Sequence, residues 1–205
     1  MTKVISKLYS TYDRAAQAVR ELEAAGVPHK DISIVSNNAD SWYSDSGTTK
    51  RVDRDRDGVD DRAEGAGAGA GIGAGIGGAA GLLAGLGLLA IPGVGPVVAA
   101  GWLVATAAGA AAGAAAGGIV GALTQAGVSD EDAQVYAEGV RRGGTLVTAR
   151  VNDSDATRLE ALLDRSSLRT SDVRRSYDKS GWKGFDPNAK PYSADEVRQY
   201  RNTWQ

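Results

Sequence analysis

Three observations predict an α+β chain: a strand-helix-strand pattern near the start of its 205 residues, the same pattern near the end, and a long stretch between them, Gly65 to Ser129, with no Asp, Glu, Lys, Arg or His. The repeated pattern implies a ferredoxin-like unit, a four-stranded sheet with two helices on one face. The charge-free stretch is expected to insert between the second and third strands as an apolar helical hairpin. The expected divisions are a first half at 1–36, an acidic and basic linker at 37–64, the glycine-rich hairpin at 65–127, a helix plus second half at 128–178, and an aromatic tail at 179–205.

Val4 to Tyr9 reads as a strand. Ser10 or Thr11 can then cap a helix whose apolar positions Ala15, Ala18, Val19, Leu22 and Ala25 keep the helical period. Gly26 stops that helix, Pro28 fixes the loop, and Ile32 to Val35 is a short second strand. A right-handed crossover makes the two strands parallel.

The linker holds Asp53-Arg54-Asp55-Arg56-Asp57-Gly58-Val59-Asp60-Asp61-Arg62-Ala63-Glu64. Its spacing satisfies the twelve-residue calcium-loop pattern, with Asp53, Asp55, Asp57, Asp61 and Glu64 as candidate Ca2+ ligands and Gly58 at the sharp turn. Asp60 at a normally apolar position, and the interleaved Arg54 and Arg56, favour the alternative of a solvated linker whose charges neutralise one another.

In the charge-free stretch, glycine recurs every fourth residue at Gly65, Gly69, Gly73, Gly77, Gly81 and Gly85. The pattern returns at Gly101, Gly109, Gly113, Gly117 and Gly121. Residues four apart share a helix face, so the spacing predicts two smooth grooves for close packing, as in small-xxx-small contacts. Glycine costs roughly 0.8 to 1 kcal/mol in a helix interior relative to alanine. Such helices therefore need either a bilayer, where an unpaired amide is worse, or a protein interior. Pro92, Gly93, Gly95 and Pro96 mark the turn, and each arm exceeds the roughly 20 residues that span hydrocarbon. The greasiest residues, Leu82 to Ile91 and Val94 to Val104, bunch around the turn as in a wedge with an apolar tip.

Beyond the hairpin, Ser129 caps a helix to Arg142, and Gly143-Gly144 ends it. Thr145 to Val151 is a strand. Asp153 or Ser154 starts a helix carrying Ala156, Leu159, Leu162 and Leu163, and Val173 to Tyr177 is expected to be the last strand. The tail carries Trp182, Phe185, Tyr192 and Trp204, and Ser193 opens a helix with Val197, Tyr200 and Trp204 on one side. That helix either docks on the domain or anchors a protein partner.

The chemistry is narrowed by what is missing. There is no cysteine, one histidine (His29) and a net charge of -2, so thiol chemistry and the common zinc sites are excluded and nucleic acid is not expected. Gly73 to Gly78 contains a G-x-G-x-x-G spacing, but it follows an acidic loop instead of a strand and is read as part of the glycine repeat. The start of the chain has no apolar signal region. Lys50, Arg51, Arg54, Arg56 and Arg62 before the hairpin, and Arg141 and Arg142 after it, predict a bacterial inner-membrane hairpin with both termini cytoplasmic; the alternative is a cytoplasmic assembly. Arg165, Arg169, Arg174 and Arg175 form a basic cluster, read as a solvated face or as a contact for anionic lipid.

Tyr12-Asp13-Arg14-Ala15, Val19 to Val27 and Asp31 to Val35 resemble the heat-induced, YflT-type domain of bacterial general stress proteins. Ala90 to Val97 and Gly139 to Val147 resemble its longer, glycine-rich members. The resemblance covers roughly residues 3 to 151 and implies a stress-associated protein without enzymatic activity. Three functions are thus expected: a membrane-associated stress protein that self-assembles through its hairpin, a soluble homo-oligomeric scaffold packed through the same hairpin, or a calcium-responsive module.

Overall fold

The computed structural model describes residues 2–43, 86–104, 106 and 118–204. Its strands are β1 (Thr2–Tyr9), β2 (Ile32–Asn37), β3 (Gly87–Ile91), β4 (Gly95–Gly101) and β5 (Thr145–Asn152). They form one five-stranded antiparallel sheet in the order β1-β5-β2-β4-β3. Because β5 runs antiparallel to both β1 and β2, those two strands are parallel to each other, as a right-handed crossover requires. The described helices are α1 (Tyr12–Ala24), α2 (Ile119–Gln125), α3 (Asp130–Arg141), α4 (Asp153–Leu163), α5 (Thr170–Lys179) and α6 (Ala194–Thr203), with a 3-10 turn at His29–Asp31.

The helix starts follow their capping residues. Thr11 accepts from the Arg14 amide ahead of α1, and Ser129 accepts from the Asp132 amide ahead of α3. Gly26, at φ +94°, closes α1 in the left-handed region that glycine enters at no steric cost. Alternation along the strands then divides the core into two layers. Ile5, Tyr9, Ile32, Ile34, Val147 and Ala149 face α1 and α4; Leu8, Val35, Val97, Ala99 and Leu146 face α2, α3 and α5. With cover on both sides, all six residues of the central strand β2 are buried.

Three expectations are corrected. The sheet has five strands instead of four, and helices cover both of its faces. Val173 to Tyr177 belongs to helix α5: the segment is polar apart from Val173 and Tyr177, which are four residues apart and both buried, a helical spacing. A single bridge remains where a fourth strand was expected, with the Leu168 amide donating to the Leu8 carbonyl at 2.7 Å.

The apolar stretch is also corrected where it is described. The turn falls where Pro92 and Gly93 place it, but Gly87–Ile91 and Gly95–Gly101 are strands, not helical arms. The β-branched pair Val97 and Val98 suits a pleated surface, and β2 supplies an edge for β4 to pair with. Gly101 (φ +97°) serves this pairing, because a Cβ there would run into the Ile32 carbonyl oxygen and come within 2.7 Å of Ser33 Cα. Gly121 lies in α2. The two glycines therefore do not share one helical groove.

Candidate functional site

A dense polar arrangement sits where the tail crosses the domain. Residues 185–191 lie over the β3–β4 turn: a Cβ on Gly93 would be 2.7 Å from the Asp186 carbonyl oxygen, and one on Gly95 would be 2.7 Å from Pro191 Cβ. The turn at the apolar tip of the expected wedge is covered by the chain's own tail. Farther along, Val197 is fully buried beside Gly143, where a Cβ would stand 2.7 Å from its Cγ1. Only residues without a side chain allow that approach.

Helix α6 is held at both ends. Ser193 and Glu196 form a reciprocal capping box, and the Ser193 backbone N–H, the leading cause, holds the Glu196 carboxyl below its ordinary range. Near the other end Arg201 donates through Nε to the Gly143 carbonyl (2.8 Å), through one terminal nitrogen to Asp40 Oδ2 (2.6 Å) and through the other to the Asn37 carbonyl (3.2 Å). One guanidinium thus joins the tail, the end of β2 and the loop after α3.

Beneath it, Glu138 of α3 is completely buried and accepts from Arg142 Nε at 2.6 Å and from Arg141 at 3.3 Å. The Arg142 guanidinium is stacked between Tyr177 of α5, 4.2 Å from the ring centroid, and Tyr200 of α6, 4.8 Å away. Burial opposes the Arg142 charge, but the Glu138 hydrogen bond and charge outweigh it, so its pKa lies above the ordinary value. Burial also pushes the Tyr177 phenol far up. Arg141 stacks on Tyr192 at 4.4 Å and donates to the Lys190 carbonyl at 2.9 Å. Each charged group here has an ionic partner, Glu138 for both Arg141 and Arg142 and Asp40 for Arg201, so the arrangement works as a latch for the tail. It offers a substrate no unpaired charge.

A cleft of about 430 Å³ opens elsewhere, between the loop after α1 and the start of α4, lined by Lys30, Asp31, Arg150, Asp155 and Arg158 among others. Its cations are also occupied: Arg158 pairs with Asp155 at 3.3 Å, Lys30 with Asp31 at 3.8 Å, and Arg150 lies 3.8 Å over the Trp102 ring. Among the described residues no group of three or more His, Asp or Glu side chains is placed to hold a metal ion.

The candidate calcium ligands Asp53, Asp55, Asp57, Asp61 and Glu64 lie outside the described residues, as do Gly65, Gly69, Gly73, Gly77, Gly81, Gly85, Gly109, Gly113 and Gly117. The expected membrane-flanking charges after the hairpin are placed differently. The Arg141 and Arg142 side chains are only 12% and 7% exposed and serve the latch, so they do not offer charge to lipid headgroups. In the later basic cluster, Arg174 pairs with Glu131 and Asp132, and Arg175 with Asp172. The tail docks on the domain, one of its two expected roles. Arg201 and Glu138 were not anticipated; the i, i+4 spacing of Glu138 and Arg142 on one helix was the available signal.

No family model, curated protein or solved structure matches the chain. Its resemblance to the heat-induced stress family rests on the residue stretches quoted for it.

Proposed function

We propose that the chain is a non-enzymatic, self-associating structural protein of the general-stress type, built on a ferredoxin-like core. The strand order supports that core: β5 lies between two strands joined through α1, and the Leu168 bridge lies beyond β1. One observation carries the function. Val94, Val97 and Val98, at the most apolar part of the glycine-rich stretch, are wholly buried inside the domain. This favours protein-on-protein packing by the Gly/Ala sequence on either side over a wedge driven into lipid by its tip.

The membrane reading keeps one observation of its own, the absence of any charged residue from Gly65 to Ser129. No helix among the described residues is long and apolar enough to cross a bilayer. Flotation of the full chain with lipid vesicles, followed by an alkaline carbonate wash, separates the two. A large particle that stays at the bottom and is lost in Gly73→Leu or Gly113→Leu supports the scaffold; flotation that resists the wash overturns it in favour of an integral protein. Calcium binding at Asp53 to Glu64 is a further proposed property, expected as heat in a calorimetric titration and lost in Asp55→Asn with Asp57→Asn.

A further inference from the structure

Among the described residues, Trp42 (38% exposed) and Leu88 (50%) are the exposed large hydrophobic side chains. They rim one side of the sheet. Trp42 stacks on Tyr12 with ring centroids 4.7 Å apart, and Tyr43 donates to the Leu86 carbonyl at 3.4 Å, just ahead of β3. Tyr12 and Leu86 pack on the core layer beneath α1, and alternation puts Leu88 on the same side as Leu86.

The strand itself, Gly87-Leu88-Leu89-Ala90-Ile91, carries no charge and no proline, and it ends the sheet; among the described residues no strand pairs with its outer side. Soluble proteins usually protect such an edge with lysine, proline, a bulge or a covering segment. Here the edge is also self-complementary. Set antiparallel to its own copy about Leu89, it places Leu88 opposite Ala90 and Gly87 opposite Ile91, large against small at these pairs, with Leu89 meeting its own copy at the axis.

We propose that β3 is the pairing edge for a second copy of this chain, joining two sheets into one continuous antiparallel sheet about a two-fold axis at Leu89. The inference rests on the proposed self-association but assigns it a contact separate from the glycine rows. Antiparallel pairing continues the direction already used throughout the sheet, and two-fold closure leaves neither copy's β3 edge open.

The register makes the test specific. Sedimentation velocity of the full chain over a range of concentrations is compared among wild type, Leu88→Lys with Ala90→Lys, and Leu88→Lys with Ala90→Glu, with folding checked by circular dichroism. The double-lysine variant sets like charges opposite each other twice and is expected to weaken dimerisation roughly 30-fold. The lysine-glutamate variant sets opposite charges against each other and is expected to restore it. Equal dimerisation in all three, or equal loss in both variants, overturns the inference. If association is lost in Gly73→Leu but unchanged in the double-lysine variant, the scaffold stands and this edge contact falls. A wild-type chain that is monomeric at every concentration overturns both. Binding of β3 by a different protein's strand in place of its own copy overturns the edge contact alone.

Discussion

The two edges of the sheet are built on opposite principles. At β1 the outer side is defended: Lys3 and Lys7 are in the strand, and the Leu168 amide occupies the Leu8 carbonyl. Lys7 also pairs with Glu160 at 3.1 Å and Asp164 at 2.7 Å. At β3 none of these devices is present among the described residues, and apolar residues reach the rim. One edge is closed against pairing; the other is the one to which the proposed contact between copies is assigned.

The largest effect on this contrast is expected from Glu138→Ala. Removing the carboxylate strands the buried Arg142 charge and costs about 3 to 5 kcal/mol. Hydrogen exchange is then expected to rise first at the tail and at the Gly93–Gly95 turn it covers, with β1 amides last; simultaneous loss at both edges would show that the latch does not act on the hairpin side. Leu168→Pro attacks the other edge. It removes the amide that satisfies Leu8 and costs about 1 to 3 kcal/mol, with new light scattering on concentration if the β1 edge is really held closed by that bond.

A smaller change is expected from Lys7→Met, below about 1 kcal/mol, because the carboxylate partners are substantially exposed. Desolvation lowers the Lys7 pKa, but the hydrogen bonds that its ammonium donates to Asp164 and Glu160 more than offset it, and the folded value is raised above 10.5. Its contribution is complete below pH 10.5 and fades as pH rises through the folded value, so wild type and variant should converge in stability in strongly alkaline urea titrations. The smallest effect touches neither edge. The folded Glu196 carboxyl titrates below 4.5, so its capping contribution is present above that pH and disappears as pH falls through the folded value. Amide exchange at Ser193 to Val197 should increase there while β3 and β1 remain protected.

The sequence was most legible where one period or one cap decided the outcome. Thr11, Gly26, Ser129 and Ser193 bound helices as their chemistry demands, and β1, β2 and β5 lie where the apolar runs put them. The hairpin misled because Leu88-Leu89-Ala90-Ile91 and Val97-Val98-Ala99-Ala100 have no polar alternation. The largely buried strand β4, the partly exposed edge strand β3 and an apolar helix all give such a run, and only length and flanking turns separate them. Val173 and Tyr177 show the reverse error, since their spacing by four was the better guide than the β-propensity of the segment. The latch was hidden because Arg141 and Arg142 read as membrane-flanking charges until Glu138, Tyr177 and Tyr200 are brought around them.

The register also sets an order of events in time. Thr2 pairs with Asn152 and Ile32 with Ala149, so β5 reaches its place between β1 and β2 only after most of the chain has been made. The β3–β4 hairpin closes over Pro92 to Val94 alone, a step that takes about 1 to 10 μs once both strands exist, whereas distant pairings are intrinsically slow. During synthesis there is therefore an interval in which both hairpin strands and their apolar rim exist while β5 is still missing. How crowded the neighbouring chains are during that interval decides whether the rim meets a partner before the domain closes.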